Sequence, residues 1–380
     1  MGRHGEGKLP LVPSLVAIDL PGGPAFVAAL QAVWDDGDAA LPVDQRLASP
    51  ARATLLEAMA PDAVIGRQGR DRCSGGHPVD DGDALVVATS GTTGTPKGVV
   101  LTHDAVAASA QATSTRLGVD PARHRWLACL PLNHVGGLSV VTRALLTGME
   151  LTVLAGFDEE AVRAAAGPEV FVSLVPTALR RVDAQLFHTV VLGGSEPPPG
   201  LPANVVTTCG MTETGSGVVY DGVPLDGVEV TFGAAGEIRL KGPMLLRAYR
   251  DGSSPLGPGG WLPTGDAGHL DAGGRLQVDG RLSDLIITGG ENVWPAAVEE
   301  ILRAHPGVAQ VAVGGRPDPE WGQKVVAWVV PSPSEDPPPL DALRSLVREH
   351  LGAWAAPREL VLVESLPRTA IGKIRRDALR

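Results

Sequence analysis

The stretch of sequence that decides the fold is ALVVATSGTTGTPKG, residues 84–98. Its first five residues form an apolar run, which is typical of a short buried strand. The remainder combines glycines, hydroxyl side chains and Lys97, so that backbone amides, hydroxyls and an ammonium group can converge on an anion. This composition predicts a phosphate-binding loop between a strand and a helix. The loop differs from a Walker A loop because Pro96 precedes the lysine and Gly98 stands where a Ser or Thr would bind magnesium.

On either side of this loop, apolar runs and helical patterns alternate along the chain. Strand patterns cover residues 126–130, 151–154, 170–175, 189–192 and 205–208, and helical patterns cover residues 104–115, 137–146 and 159–166. Such alternation predicts an α/β domain with a largely parallel sheet. Residues 222–275 change to short strands separated by Gly, Pro and Asp, which predicts a small β-rich layer.

The pattern changes a second time near Arg281. Helical patterns at 296–303 and 340–351 accompany strand patterns at 308–313 and 324–330, which predicts a separate small α+β domain. We therefore predict an α/β fold. Residues 1–282 form a large N-terminal domain of mixed and parallel sheets flanked by helices, with the β-rich layer, and residues 283–380 form the C-terminal domain.

The bulk composition excludes several classes of protein. A formal charge of −11 argues against a general nucleic-acid-binding surface, which needs a basic face. The three cysteines follow no metal-ligand spacing, and their odd number cannot form a complete disulfide framework. Neither a signal peptide nor an apolar run of transmembrane length is present in the sequence, so we expect a cytoplasmic protein with no membrane span.

Further short motifs follow the phosphate-binding loop at intervals. They are LPLNHVGG at 130–137, VLGGS at 191–195, CGMTET at 209–214, WLPTGD at 261–266, DGRLSD at 279–284, TGGENV at 288–293 and PRTAIGKI at 367–374. In this order, and over the chain from about residue 83 onward, they resemble the acyl-adenylate-forming superfamily of acyl- and aryl-CoA ligases, luciferases and peptide-synthetase adenylation domains.

The resemblance implies an ATP-dependent acid–thiol ligase that uses ATP, Mg²⁺ and CoA. The implied catalytic residues are Lys373, Thr212, Glu213 and His134, with Glu213 as the metal ligand. The implied ATP-binding residues are Thr89, Ser90, Gly91, Thr92, Thr93, Gly94, Lys97, Cys209, Gly210, Met211, Asp266 and Arg281. The implied acyl-binding residues are His134, Arg143, Gly193, Gly194 and Ser195. The C-terminal domain is expected to move about a hinge at Ser283 and to bring Gly289, Gly290 and Glu291 to the thioester step.

Several of these motifs have plainer interpretations when taken alone. A strand ending in Gly193 and Gly194 is equally consistent with simple packing. Cys209 departs from the family pattern, because most members carry an aromatic residue there that stacks on adenine. A nucleotide-binding protein without activity is disfavoured, because Lys373, Glu213 and Asp266 are all present.

The short N-terminal region and the sequence HVGGLSVVTRALL at 134–146 resemble the compact o-succinylbenzoate–CoA ligases of menaquinone biosynthesis. In that subfamily an arginine at the position of Arg143 is implicated in holding the aromatic carboxylate. The alternative is an amphipathic helix that shows Arg143 to water. Another aryl or acyl acid, a carrier-protein acceptor in place of CoA, and a homodimer all remain open at this point.

Overall fold

The computed structural model describes residues 12–89, 96–333, 336–368 and 374–379. The chain forms two compact units. The first extends to Glu229 and also includes Lys241–Leu262, whereas the second combines Val230–Leu240 with the chain from Pro263 onward. Part of the β-rich layer thus groups with the C-terminal part of the chain. The predicted boundary between residues 282 and 283 stays a prediction.

The strands and helices up to residue 224 belong to the first unit. They are β1 (Leu15–Ile18), α1 (Pro24–Asp35), β2 (Ala39–Pro42), α2 (Ser49–Met59), β3 (Ala63–Gly66), β4 (Gly69–Arg72), β5 (Asp83–Thr89), β6 (Lys97–Thr102), α3 (His103–Leu117), β7 (Arg125–Ala128), α4 (Val135–Thr147), β8 (Glu150–Val153), α5 (Glu159–Ala164), β9 (Gly167–Leu174), α6 (Pro176–Leu179), β10 (Phe187–Leu192), β11 (Val205–Gly210), β12 (Gly217–Tyr220) and β13 (Val223–Pro224).

Strands dominate the remainder of the chain. The elements are β14 (Glu229–Phe232), β15 (Glu237–Lys241), β16 (Ala248–Tyr249), β17 (Leu262–Leu270), β18 (Leu276–Arg281), β19 (Ile286–Thr288), β20 (Glu291–Val293), α7 (Pro295–Arg303), β21 (Val308–Asp318), β22 (Gly322–Pro331), α8 (Leu340–His350) and β23 (Glu359–Leu362). Short 3₁₀ helices within the described residues cover Ala184–Leu186, Thr212–Thr214, Ala234–Gly236, Pro258–Gly260, Leu282–Asp284 and Arg376–Ala378.

Two seven-stranded sheets organise the first unit. The first has the order β16-β6-β5-β2-β1-β3-β4, and the second has the order β13-β12-β11-β10-β9-β7-β8. The central strands of both sheets pair in parallel, whereas β4, β6, β12, β13 and β16, at or next to the sheet edges, pair antiparallel. Strand β1 is buried along its whole length, as expected for a parallel strand with both faces covered. The predicted α/β fold is confirmed.

The phosphate-binding loop joins two strands. Residues 97–102 form β6, which pairs antiparallel with β5 so that Lys97 lies opposite Thr89. The helix predicted at 104–115 is confirmed as α3, but strand β6, which was not predicted, lies between the loop and that helix. Val99, Val100 and Leu101 are buried, and β-branched residues on a buried surface favour a strand. Helix α3 starts only after Thr102, whose side chain accepts a hydrogen bond from the amide of Ala105.

The remaining strands form two smaller sheets. Strands β14, β15, β17 and β18 make a four-stranded sheet, which confirms the predicted β-rich layer. Strands β19 to β23 make a five-stranded sheet whose buried residues pack with α7 and α8 through Val298, Leu302, Leu343 and Val347. The predicted helix–strand–strand–helix pattern of the C-terminal part is confirmed.

A buried carboxylate connects several elements of the second unit. Glu299, on α7, is 2% exposed. Its Oε1 accepts hydrogen bonds from the amide of Val313 at 2.8 Å and from the guanidinium of Arg376 at 2.7 Å, and its Oε2 accepts one from Arg303 at 3.3 Å. Arg376 also bonds to the carboxylate of Asp284 at 3.3 Å. Glu299 therefore joins α7, β21 and the C-terminal segment.

We predict that Glu299→Ala lowers the free energy of unfolding of the second unit by about 3–5 kcal/mol, because it leaves buried donors without an acceptor. Urea unfolding followed by tryptophan fluorescence measures the change. Glu300→Ala, one residue along and exposed, is the matched control and should change the value by no more than about 0.5 kcal/mol. Equal effects of the two substitutions would contradict the structural role of Glu299.

Candidate active site

The ends of the phosphate-binding loop are fixed by the β5–β6 hairpin. Thr89 Oγ1 donates a hydrogen bond to the carbonyl of Lys97 at 3.3 Å. Gly98 is required by packing, since a Cβ there would lie 2.6 Å from Sδ of Met59 and 2.8 Å from Cγ1 of Val86. Five of the predicted ATP-binding residues lie outside the described residues: Ser90, Gly91, Thr92, Thr93 and Gly94.

Lys97, next to this loop, forms no close ion pair within the described residues, although its charge helps to lower the pKa of the nearby Asp251 carboxyl, mainly lowered by hydrogen bonds from Ser253. Among the lysines of the described residues, Lys241 pairs with Glu229 and Lys324 pairs with Glu359. Lys97 forms no such pair with a described carboxylate. Its ammonium instead lies 4.8 Å from the centre of the Tyr249 ring. A cation over an aromatic face keeps its charge, so Lys97 can still bind an anion.

Tyr249 links Lys97 to the second phosphate motif. Its hydroxyl donates a hydrogen bond to Oε1 of Glu213 at 2.9 Å. Burial raises the pKa of Tyr249, and the negative charge of Glu213 raises it further, so the phenol remains a donor at neutral pH. Tyr249 was not among the residues predicted from the sequence. The only available signal was that it is one of two tyrosines in the chain.

The CGMTET motif forms the end of β11 and a tight turn. Thr214 Oγ1 accepts a hydrogen bond from the amide of Met211 at 2.9 Å and donates one to the carbonyl of Ser216 at 2.6 Å. Gly210 has no room for a side chain, because a Cβ would lie 2.2 Å from the carbonyl oxygen of Ser216. The turn thereby fixes the backbone of Thr212 and Glu213. Cys209 is half-buried in β11 and is not in a disulfide.

Arg143 lies inside the protein. Only 2% of its surface is exposed, so the alternative of a water-facing arginine is wrong. Its guanidinium packs 4.7 Å from the ring centre of Trp126, and Nη2 donates a hydrogen bond to Oγ of Ser216 at 3.2 Å. Burial lowers the pKa of Arg143. Nε and Nη1 have no hydrogen-bond partner among the described residues.

A small internal cavity borders this arginine. Its volume is about 10 Å³, and it is lined by Arg143, Ser139, Thr142, Leu138 and Gly215, among others. Ser216, whose hydroxyl donates to that of Ser139 at 3.3 Å, connects the cavity wall to the end of the CGMTET turn. At this cavity the buried guanidinium keeps two donor groups without a partner among the described residues.

His134 immediately precedes α4. It lies close enough to Asp44 for its charge to help lower the pKa of that carboxyl, although the main cause is the hydrogen bond from Arg46. The neighbouring Asn133 lines a cavity of about 350 Å³ together with Asp44, Thr89 and residues of α2. This volume lies within the range of small-molecule pockets.

The structure explains Gly193 and Gly194 by packing. A Cβ at Gly193 would lie 2.9 Å from Cγ2 of Thr208, and Gly194 has a φ of +88°. Gly193 also donates its amide to the carbonyl of Leu174 at 3.1 Å. The packing interpretation is therefore supported. An acyl-binding role for these glycines and Ser195 stays a prediction.

The two predicted ATP-binding residues of the second unit, Asp266 and Arg281, pair with each other. Arg281 Nε lies 2.8 Å from Oδ1 of Asp266, and the residues are cross-strand partners on β18 and β17. Arg281 Nη1 also donates to the carbonyl of Thr264 at 3.1 Å. The ion pair fixes the direction of the Asp266 carboxylate, which is a suitable acceptor for hydroxyl groups.

The predicted thioester-step residues form a tight hairpin. Gly289 and Gly290 connect β19 to β20 with φ values of +59° and +85°, which is the two-residue turn that glycine favours. Glu291 follows on β20 and is exposed. Ser283, the predicted hinge, lies in the 3₁₀ helix before β19. Lys373 lies outside the described residues.

Comparison with known proteins places these observations in a family. The model "AMP-binding enzyme" matches residues 74–237, and the model "AMP-binding enzyme C-terminal domain" matches residues 297–373. A probable 2-succinylbenzoate–CoA ligase from Mycobacterium tuberculosis is 42% identical over 330 residues, which cover 80% of this chain and 85% of that protein. The chain belongs to the AMP-binding enzyme family.

Other members of the family are similar over most of their length. A 2-succinylbenzoate–CoA ligase from Listeria monocytogenes is 35% identical over 78% of this chain and 69% of that protein. The solved structure of o-succinylbenzoate–CoA synthetase from Bacillus subtilis, in complex with its acyl-adenylate intermediate, has a TM-score of 0.81 at 28% identity. It covers 96% of this chain, and the match covers 87% of that chain. An amide bond synthetase from Marinactinospora thermotolerans has a TM-score of 0.82 at 27% identity, with 97% and 89% covered.

In this AMP-binding enzyme, the first unit brings together residues that are distant in sequence. Lys97 and Glu213 meet at Tyr249, and Arg143 is joined to the end of the Glu213 turn through Ser216. The described helices include none that is long and apolar enough to cross a membrane.

We predict that Arg143→Met raises the free energy of unfolding by about 1–4 kcal/mol, because it removes a buried charge while keeping most of the side-chain volume. Urea unfolding of the two proteins without substrates measures the difference. Arg180→Met, at an exposed position of the same unit, is the control and should stay within about 0.5 kcal/mol. A loss of stability in Arg143→Met would mean that the guanidinium has a structural role.

Proposed function

We propose that the protein is a 2-succinylbenzoate–CoA ligase that forms the thioester through an acyl-adenylate. The observation that carries this proposal is Arg143, a buried guanidinium with unused donors beside a cavity. The names of the relatives from Mycobacterium and Listeria support the same acid. Such an enzyme is an AMP-forming ligase of menaquinone biosynthesis.

The substrate and Arg143 are complementary in charge. 2-Succinylbenzoate has two carboxylates, one of which must react while the other is held. In the free protein Arg143 is desolvated, and no described carboxylate compensates its charge. A carboxylate that reaches Nε and Nη1 would form charge-assisted hydrogen bonds there, which are stronger than hydrogen bonds between neutral groups. We therefore assign Arg143 to the non-reacting carboxylate, with His134 and residues 193–195 as further acyl-binding candidates.

The reaction has two steps. In the first, a carboxylate oxygen of the acid attacks the α-phosphorus of ATP, the bond to the bridging oxygen breaks, and pyrophosphate leaves with that electron pair. In the second, the CoA sulfur, as a thiolate, attacks the acyl carbon, and AMP leaves. Both steps gather negative charge, so positioned cations and donors favour them. Lys97 and Thr212 supply such groups in the first unit, and Lys373 is assigned to the first step by its motif.

The residues present suit a magnesium ion that arrives with the nucleotide. Among the described residues no group of three or more His, Cys, Asp or Glu could hold a metal by itself. Mg²⁺ is commonly bound by one or two carboxylates together with substrate phosphates, and Glu213 can supply one carboxylate. When bound, the ion neutralises charge on the phosphate oxygens.

The second unit supplies the remaining proposed functions. We assign Asp266 and Arg281 to the ribose, Ser283 to the hinge of a mobile C-terminal domain, and Gly289, Gly290 and Glu291 to the thioester step. We further propose a cytoplasmic enzyme with small-molecule substrates, and a homodimer as its assembly.

The proposal is tested by incubating the protein with ATP, Mg²⁺ and CoA across a panel of acids, with AMP and thioester measured. We expect 2-succinylbenzoate to be the preferred acid. Arg143→Ala should raise the KM for 2-succinylbenzoate by about 10- to 100-fold, because a hydrogen bond to a charged group is lost. The KM for ATP should stay within about twofold of the wild-type value. Arg180→Ala is the matched control.

Two results would redirect the proposal. Preference for another acid would replace 2-succinylbenzoate while leaving the adenylating activity in place. Adenylate and pyrophosphate formed without any thioester would point to an acceptor other than CoA, such as a carrier-protein thiol. If Arg143→Ala left both KM values unchanged, the second carboxylate would have to be held elsewhere.

The two half-reactions separate the role of Lys373. We predict that Lys373→Ala slows pyrophosphate release by at least about 100-fold, because a positioned cation is lost from the first transition state. Thioester formation from supplied acyl-adenylate and CoA should stay within about threefold of the wild-type rate. Lys324→Ala, which removes a lysine paired with Glu359, is the control. Equal losses in both half-reactions would show that Lys373 is not specific to adenylation.

A further inference from the structure

One tyrosine contacts the charged residues of two separate phosphate motifs. The ring of Tyr249 lies 4.8 Å from the ammonium of Lys97, and its hydroxyl donates to Oε1 of Glu213 at 2.9 Å. The three residues come from the start of β6, the turn after β11 and strand β16. Tyr249 lies outside the motifs from which the functional residues were predicted.

The backbone fixes the position of this ring. Tyr249 pairs with Val99 in the antiparallel β16–β6 ladder. Its amide donates to the carbonyl of Ser253 at 2.7 Å, and its carbonyl accepts from the amide of Gly252 at 2.9 Å. The amide of Leu246, just before β16, donates to the carbonyl of Glu213 at 2.7 Å. The same short segment therefore holds both the main chain and the side chain of Glu213.

This arrangement keeps two opposite charges apart. Lys97 and Glu213 form no ion pair with each other in the part of the chain that the structure describes. The ring face attracts the ammonium through its quadrupole, while the phenol at the ring edge binds one carboxylate oxygen. No described residue donates a hydrogen bond to the other oxygen, Oε2 of Glu213. Both Lys97 and this oxygen therefore remain available to a ligand.

We propose that Tyr249 is a positioning residue that orients Glu213 toward the nucleotide-bound divalent cation and holds Lys97 apart from it for the phosphates. This inference rests on the proposed function of the same site. Hydrogen-bond partners orient a metal-binding carboxylate. Removing such a partner lowers metal affinity by about 10- to 100-fold. The hydroxyl should therefore affect metal binding, and the ring should affect phosphate binding.

The experiment uses the full chain with Mn²⁺ as the probe for the cation and α,β-methylene-ATP as a nucleotide that cannot be adenylated. Electron paramagnetic resonance measures the Kd of Mn²⁺ in the presence of the analogue, and calorimetry measures the Kd of the analogue without metal. Tyr249→Phe keeps the ring and removes the hydroxyl. We expect its Mn²⁺ affinity to fall by about 10-fold or more and its metal-free analogue affinity to stay within about twofold.

Two further variants isolate the cause. Tyr249→Leu removes the ring as well, and we expect its metal-free analogue affinity to fall by at least about threefold, the value of a weak cation–π contact. Tyr220→Phe is the matched control because it changes the only other tyrosine, whose hydroxyl lies 3.3 Å from that of Thr113. It should leave both Kd values unchanged. Urea midpoints identify any variant that is partly unfolded.

Each result is decisive. Wild-type Mn²⁺ affinity in Tyr249→Phe would overturn the proposal, and so would equal losses with and without metal, because they would indicate general distortion. If the wild-type protein formed no adenylate and did not bind the Mn²⁺–analogue pair, the proposed function itself would be wrong. That failure is visible in the wild-type protein alone and is therefore distinct from a failure of the Tyr249 proposal.

Discussion

The backbone ladder of β6 is the constraint on which the candidate site depends. On one side β6 pairs with β5, which places Thr89 opposite Lys97 at the two ends of the phosphate-binding loop. On its other side it pairs with β16, which places Tyr249 beside Val99. Glu213 is then held by the residues around β16. The register of paired strands is strongly specified, because a shift by one residue would turn every side chain of a strand to the opposite face of the sheet.

The charges of the first unit show how an acidic protein can bind anionic substrates. The chain has a formal charge of −11, so its overall field does not attract ATP. Binding must therefore come from local positive groups. Many basic side chains already form ion pairs, as Arg247 does with Asp83 at 2.8 Å. Lys97 and Arg143 differ, because neither forms a close ion pair with a described carboxylate. The ammonium of Lys97 lies over an aromatic ring, and the guanidinium of Arg143 borders a cavity.

Much of this fold could be predicted from the sequence, because apolar periodicity and turn residues are local signals. The alternation of strands and helices, helix α7 after Pro295, and the glycine turn at 289–290 all follow from them. Strand β6 was missed because a loop rich in glycine followed by a helix is the commoner arrangement for a phosphate site. Tyr249 was missed because its contacts depend on pairing between β6 and β16, which lie about 150 residues apart and leave no local pattern. The burial of Arg143 had a signal: α4 is apolar on nearly all sides and buried from Gly137 to Ala144, and a helix of that kind has no water-facing side.

In the proposed function, Arg143 also couples acid binding to the stability of the fold. Desolvating a guanidinium without a counter-charge destabilises the free protein by several kcal/mol, and a bound carboxylate removes most of that destabilisation. A ligand that binds only the folded state stabilises that state, and the stabilisation grows with the logarithm of the ratio of ligand concentration to Kd. The proposed site would thus favour a dianionic acid in two ways, through the contacts that the acid forms and through the destabilisation that it relieves. In this proposal a monocarboxylic acid of the same shape leaves the charge of Arg143 without a partner, so selection among acids depends on that charge.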